Sequence, residues 1–280
     1  MPADPASLRT TFRRLHERGR FVMPNPWDVG SARALQHLGF PALATTSAGM
    51  AFSLGLPDNA VPRAEVLAHV GSIARAVDVP VNADFESGFG ADPAGVAESV
   101  ALCVAAGVAG LSIEDSTGDA SAPLFPLEVA VERLRAAREA VDASGTGVVL
   151  TARAECHLVG HPEPLRESIR RLEAYAAAGA DCLYAPGLRT SEEVATVVKA
   201  AGPVPVNVLA GGTGFSVAQL RDLGVRRISV GAALARTAWG AFLRAAEEIA
   251  GPGTFGGLRE AATFARLNAF FTEVAGRRGT

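Results

Sequence analysis

Cysteine is scarce in this chain, and the three present, Cys103, Cys156 and Cys182, follow no spacing pattern. That excludes a disulfide framework and fits the reduced thiols of a cytoplasmic protein, most simply as small apolar packing groups. No uncharged apolar run reaches the ~18 residues that a membrane span needs. The opening MPADPASLRTTFRRLHERGRF lacks the apolar core of a signal peptide. It reads instead as an amphipathic helix beginning near Asp4 or Ser7. Excess positive charge is missing too: the formal net charge is -3, so nothing marks a nucleic-acid binder. The five histidines form no cluster at strand ends, which argues against zinc.

What is present is ordinary for a packed globular protein, 49% hydrophobic and 20% charged over 280 residues. A single α/β barrel commonly runs to about 250 residues. One pattern repeats along the chain: a short apolar run, a polar or small end, then a stretch rich in Ala, Leu, Arg and Glu. The apolar runs are 21–25, 42–47, 79–86, 110–115, 147–155, 182–186, 205–210 and 227–232. Helical stretches lie between them, several stopping at Gly (Gly39, Gly107, Gly179, Gly202, Gly224). Strands that alternate with helices imply parallel βαβ units. Eight units predict a (β/α)₈ TIM barrel over 1–250, with the N-terminal helix included, and an open doubly wound sheet is the alternative. A Gly-rich stretch, GPGTFGG, then leads to one last helix in 251–280, within a single domain overall. Leu258, Phe264, Leu267, Phe270, Phe271 and Val274 give that helix a heavy apolar load, to be buried on its own barrel or exchanged onto a neighbour's. A homodimer or homotetramer is expected.

Barrels of this kind carry their chemistry at the C-terminal ends of the strands. Those ends offer Asn25, Trp27 and Asp28; Thr45, Thr46 and Ser47; Asp84 and Glu86; Glu114 and Asp115; Arg153 and Glu155; Tyr184 and Pro186; Asn207; and Ser229. Asp84 and Glu86 are two apart and share a strand face. With Glu114 they make three acids that cannot all stay charged in a dry mouth without a cation. A hard divalent ion, Mg²⁺ above all, meets that need, as does pairing with Arg153 and backbone amides. Arg153 is placed either to grip a carboxylate or phosphate, or to form a salt bridge with Glu114 or Glu155. TTSAGMA is a candidate anion cradle or a plain βα turn, and LAGGTGF a candidate phosphate loop. His157 and His161 fall in an expected loop beyond the fifth strand.

The stretches NPWDVGSARALQHLGFPALATTSAGMA, GLPD, VNADFESGFG, GLSIEDS, LTARAE and ADCLYAPG, in order from about residue 25 to 187, resemble the isocitrate lyase/phosphoenolpyruvate mutase superfamily. The resemblance implies a bound Mg²⁺, with Mn²⁺ as substitute, and a small 2-oxo acid as substrate or product. The metal would chelate the 2-oxo and carboxylate oxygens and stabilise an enolate formed as a bond at C3 breaks. Carried over by motif, Asp84 holds the ion directly, and Glu86 and Glu114 hold it through water. Ser47 with the Ala48 and Gly49 amides seats the substrate carboxylate, Trp27 walls the pocket, and Asn207 contacts a distal group. Asp58 lies near the metal waters, and Arg153 binds the 2-oxo oxygen. Arg153, Glu114, Asp58 and Tyr184 carry the expected catalytic roles.

The departures from the superfamily narrow the chemistry. The lyases' Lys-Lys/Arg-Cys-Gly-His loop is replaced by STGDASAPLFPLEVAVERL, without Cys, Lys or His. The phosphonate mutases' Lys-Thr-Asn-Ser loop and strand-six His are missing, Pro186 standing at the latter. Ala232 and Ala233 stand where the oxaloacetate decarboxylases carry a His after strand eight. The expectation is a metal-dependent carbon–carbon lyase, hydrolase or decarboxylase whose proton donor is solvent, Tyr184 or a strand-five-loop His. A phosphonate enzyme and a non-catalytic 2-oxo acid binder are the alternatives.

Overall fold

The structure, a computed structural model, describes residues 4–276. All eight expected strands form, each shorter than its expected run: β1 (Phe21–Met23), β2 (Leu43–Ala44), β3 (Val81–Asp84), β4 (Gly110–Glu114), β5 (Val149–Arg153), β6 (Cys182–Tyr184), β7 (Val206–Leu209) and β8 (Arg227–Ser229). They are parallel and ordered β1-β8-β7-β6-β5-β4-β3-β2. At the seam between β1 and β2, Ala44 N donates to Pro24 O at 3.1 Å. The strands thus curl into a nearly closed (β/α)₈ TIM barrel, as the alternation predicts.

Helices α1 (Pro5–Glu17), α2 (Val29–His37), α3 (Ser47–Ser53), α4 (Arg63–Ala76), α5 (Pro93–Ala105), α6 (Leu127–Ala143), α7 (Pro164–Ala177), α8 (Ser191–Ala201), α9 (Val217–Asp222), α10 (Ala233–Ala250) and α11 (Phe264–Gly276) surround the barrel. Their starts follow from local chemistry. Asp4 accepts from Ser7 N and is followed by Pro5, Asp28 forms a capping box with Ser31, and Thr190 forms one with Glu193. The main core lies between the strands and the outer helices, with Phe85, Leu111, Leu134, Leu150 and Leu183 fully buried. A second cluster closes the barrel floor, where Phe12 of α1 packs edge-on to His16 and Phe21. Gly110 makes room for it, since a Cβ there would lie 2.5 Å from the Phe12 ring.

Two local expectations are corrected. TTSAGMA is not a plain βα turn: Thr46 accepts from Gly49 N and opens α3, so Ser47, Ala48 and Gly49 stand in the first turn of a helix. The expected unbroken last helix is a short 3₁₀ turn, Gly256–Glu260, followed by α11. Ala261 takes an extended conformation between them, and Thr263 Oγ1 accepts from Arg266 N to restart the helix. The Gly-rich stretch is also tied down, because Glu248 accepts from Gly256 N at 2.7 Å and Gly257 N at 2.6 Å. α11 lies on α2 of its own chain through Phe270 and His37, while Phe264 stays 81% exposed.

Asn25 staples the seam. Its Nδ2 donates to Thr45 O at 2.9 Å, and its Oδ1 accepts from Val230 N at 3.0 Å and Gly231 N at 2.9 Å. One buried amide so joins the ends of β1, β2 and β8. Asn25→Ala leaves these backbone groups unpaired and is expected to cost about 2–4 kcal/mol in urea-induced unfolding. A cost below about 0.5 kcal/mol, the level of a neutral surface change, counts against the staple.

Candidate active site at the barrel mouth

Strand register assembles the site. Glu114 pairs with Arg153 across β4 and β5, Arg153 with Tyr184 across β5 and β6, and Tyr184 with Asn207 across β6 and β7. Four residues far apart in the chain form one lateral row. Arg153 is its electrostatic centre. Its Nη1 lies 3.0 Å from Glu114 Oε2 and 3.5 Å from Asp84 Oδ1, its Nε donates to Glu155, and its guanidinium carbon lies 5.3 Å from the centre of the Tyr184 ring. The surrounding acids offset the cost of burying the guanidinium and hold it charged. The expected salt bridge to Glu114 or Glu155 is present with both, and Asp84 joins it.

Asp84 is anchored on both oxygens, since Oδ2 accepts from Ser47 N at 3.0 Å and Oδ1 faces Arg153. Its own amide donates to Thr45 Oγ1 at 2.9 Å. Glu86 follows in a left-handed conformation, φ 46°, with Phe89 at φ 54° close behind. Such strain in non-glycine residues costs about 1–3 kcal/mol each and collects at functional sites. The Glu86 carboxylate has no hydrogen bond or ion pair among the described residues. Burial first, then Asp84 and Asp58, pushes its pKa up to about 7. Burial also raises Asp58, against the Ser47 hydroxyl that bonds it, and Asp84 raises it further. Burial keeps Glu114 and Glu155 high despite Arg153.

Asp58, Asp84, Glu86, Glu114 and Glu155 thus set five carboxyl groups around one guanidinium. Among the described residues no ready cage of three acid, imidazole or thiol groups exists. The donor set is all hard oxygen and short of positive charge. It fits a cation that takes few protein ligands and keeps its waters, which is how Mg²⁺ binds.

The other expected residues divide. Tyr184 is buried on Arg153. Asn207 is 1% exposed, and both ends of its amide are engaged inside the barrel. Trp27 packs near Gly49, where an added Cβ would lie 3.0 Å from the Trp27 Cβ. It also lines a cleft of about 320 Å³ with Ser53, Trp239 and Phe242. Ser47, Ala48 and Gly49 form the first turn of α3, with the Ser47 amide already given to Asp84. Asp115, next to Glu114, points outward instead and accepts from Tyr175 Oη at 2.6 Å and Arg171 Nη1 at 2.9 Å. His157 bonds Ser168 of α7, and His161 accepts from Glu163 N. Cys156 is a buried free thiol. The segment after β4 folds on itself, Thr117 N donating to Pro123 O at 3.0 Å. With Glu86, Glu114 and Asn59 it borders a cleft of about 400 Å³. Sequence reasoning passed over Arg227, whose only signal was a cation opening an apolar strand.

The family model for phosphoenolpyruvate phosphomutase matches residues 12–250. The chain belongs to the phosphoenolpyruvate phosphomutase family. Among its relatives, a probable 2-methylisocitrate lyase of Corynebacterium glutamicum is 31% identical over 244 residues, covering 82% of this chain and 76% of that one. A candidate lyase/mutase of Burkholderia cenocepacia superposes with a TM-score of 0.92 at 48% identity, over 96% and 97% of the two chains. Oxaloacetate acetylhydrolase, solved with its product oxalate, superposes with a TM-score of 0.84 at 27% identity, over 99% and 100%. This family member therefore sits in the isocitrate lyase/phosphoenolpyruvate mutase superfamily, as its strand-end motifs imply, among both lyases and hydrolases.

The Glu86 carboxyl has a measurable consequence. An acid whose folded pKa lies above its unfolded value costs the fold nothing below the unfolded value, near 4.5, and stability falls as pH rises from there through about 7. Glu86→Gln should therefore stabilise the metal-free protein at pH 8 by about 1–3 kcal/mol, allowing for solvent screening, and change little at pH 4. Equal effects at both pH values in chemical unfolding count against the burial account.

Proposed function

We propose that this protein is a divalent-metal-dependent enzyme, using Mg²⁺ or Mn²⁺, that makes or breaks a carbon–carbon bond in a small 2-oxo acid or dicarboxylate through an enolate. The observation that carries this is the charge imbalance at the rim, where Arg153 is outnumbered by Asp84, Glu114 and Glu155. Family membership supports the same class. Asp84 would hold the cation, with Glu86 and Glu114 reaching it through water and Asp58 orienting that water. The bound cation supplies Lewis-acid stabilisation of negative charge on the 2-oxo oxygen.

The chain's own residues do the rest. Arg153 exchanges part of its carboxylate contact for the substrate's carboxylate or 2-oxo edge. The first turn of α3 lies beside Asp84 and lines the carboxylate end. Tyr184, packed on Arg153 and buried, keeps its proton because burial holds its pKa up at about 12. It is the O–H group proposed to give a proton or hydrogen bond to the developing carbanion, in place of the lyases' loop Cys.

The test is turnover of oxaloacetate, 2-methylisocitrate, isocitrate and phosphonopyruvate, with and without EDTA. Metal-dependent cleavage of one of the carbon acids is expected. Phosphate release from phosphonopyruvate would reassign the protein as a phosphonate enzyme, and oxalate binding without any turnover would make it a binder. Asp84→Ala is expected to weaken Mn²⁺ binding, read by calorimetry, by at least about tenfold. Unchanged Mn²⁺ affinity sinks the metal assignment.

We further propose that a second copy covers the apolar face of α10 and α11, where Phe242, Leu243, Phe264, Leu267 and Phe271 are all more than 40% exposed. Light scattering should find a homodimer or homotetramer, and Phe242→Asp with Phe264→Asp should reduce its mass. A monomeric wild-type protein overturns this. Among the described residues no helix is long and apolar enough to cross a membrane. The three free, buried thiols support a cytoplasmic setting.

A further inference from the structure

Among the described residues only three that are not glycine take a left-handed backbone: Asn59 at φ 62°, Glu86 at φ 46° and Phe89 at φ 54°. All three border the same cleft of about 400 Å³. Asparagine enters that region readily, but glutamate and phenylalanine do not. The turn that carries Glu86 and Phe89 is clamped from behind. There the buried Arg133 donates from Nη2 to Ser87 O at 2.8 Å and to Gly90 O at 2.9 Å. Strain that the surrounding structure holds in place marks a wall whose shape matters.

Glu86 and Glu114 join this cleft to the acidic rim, and Arg63, the first residue of α4, is the one cation that borders it. The segment after β4 adds the hydroxyls of Ser116 and Thr117 but no positive charge, since STGDASAPLFP holds no Lys, Arg or His. Any anionic group in the cleft must therefore look to Arg63. That side chain is held yet only partly engaged. Its Nη1 donates to Ser99 Oγ at 2.9 Å and lies 3.2 Å from Glu98 Oε1. Ser99 is fully buried on α5 and fixes the side chain. Glu98 is 66% exposed, and an ion pair so exposed is weak. Nε and Nη2 make no hydrogen bond among the described residues. Together they form the planar fork that matches the two oxygens of a carboxylate.

We propose that Arg63 is a specificity-determining residue that binds a carboxylate at the far end of the substrate, so that the site takes 2-oxo diacids and discriminates against 2-oxo acids that end in a methyl group. The chelating end stays at the rim with Asp84 and Arg153, and the chain crosses the cleft past Ser116 and Thr117. This rests on the metal-dependent 2-oxo acid reading of the rim, and oxalate, which has no far end, separates the two claims.

Calorimetry with Mn²⁺ present compares three kinds of ligand. Oxalate supplies the chelating end alone. 2-Oxobutyrate and 2-oxopentanoate add an uncharged chain. Oxaloacetate and 2-oxoglutarate carry the same two chains with a terminal carboxylate in place of the methyl group. A ligand that is consumed is compared by kcat/KM instead. At least one diacid is expected to bind at least about tenfold more tightly than its methyl-ended counterpart, the scale of one charge-assisted pair. Arg63→Met should abolish that preference and leave oxalate affinity within about twofold, since it removes only a partly exposed charge. Arg63→Lys keeps the charge without the fork and should retain part of the preference. Thermal unfolding confirms that both variants are folded. No preference for either diacid in the wild-type protein overturns the proposal, as does a preference that survives in folded Arg63→Met. Oxalate binding without a diacid preference removes Arg63 alone and leaves the metal reading standing. If oxalate itself fails to bind, the metal reading falls and takes this inference with it.

Discussion

Arg153 against Asp84, Glu114 and Glu155 is the contact on which the mouth of this barrel depends. A buried guanidinium is tolerated only when paired, and a group of buried carboxylates only when neutralised. Each side makes the other possible, but the balance is unequal. One cation serves three direct partners, while Glu86 and Asp58 lie just beyond its reach. Stability alone would favour a matched pair. The rim is left with excess negative charge and with Glu86 in a left-handed conformation, and that excess is what the proposed divalent cation would neutralise.

The rim and the floor are opposite in character and are joined by the barrel interior. Acids crowd the mouth. Below lies Arg227, cationic and surrounded by neutral acceptors, with the neutral His16 of α1 beneath it. The N-terminal helix is therefore more than a lid over apolar strand ends, because it supplies the acceptor that completes the Arg227 shell. The departures from the superfamily loop and from its strand-six and strand-eight histidines shift attention to this interior. The usual acids are missing from the loops, and the polar hydroxyls that remain, Tyr184 and Ser229, stand on strands. Groups on strands are held more rigidly than groups on loops.

Much of the fold was legible because its signals are local. Apolar runs mark the strands, most of them preceded by a helix-ending glycine, and Asp4 announces a helix start that the structure bears out as a cap, while the caps at Asp28 and Thr190 appear only in the structure. The misreadings have local causes as well. Ser-Ala-Gly-Met-Ala reads as a turn because its glycine masks a helix whose first turn Thr46 caps. The final helix breaks at Ala261 because Glu248, on α10, holds the preceding glycines. At the site, Glu114 and Asp115 look alike in sequence as adjacent strand-end acids. Only alternation across a closed sheet sends one to Arg153 and the other to Arg171 and Tyr175.

The amino-acid sequence by itself determined the eight-unit alternation, the kind of barrel it makes, the strand ends where polar groups gather and the superfamily to which those ends belong. Period and capping act over a few residues, so they can be read without neighbours. Only the tertiary structure decided that Glu114, Arg153, Tyr184 and Asn207 share one row, that Asn25 closes the seam, and that Arg227 bonds His16 across 211 residues. Those relations depend on the stagger with which the sheet closes. Closure sums small twists and registers over all eight strands, a quantity that no single stretch of chain contains.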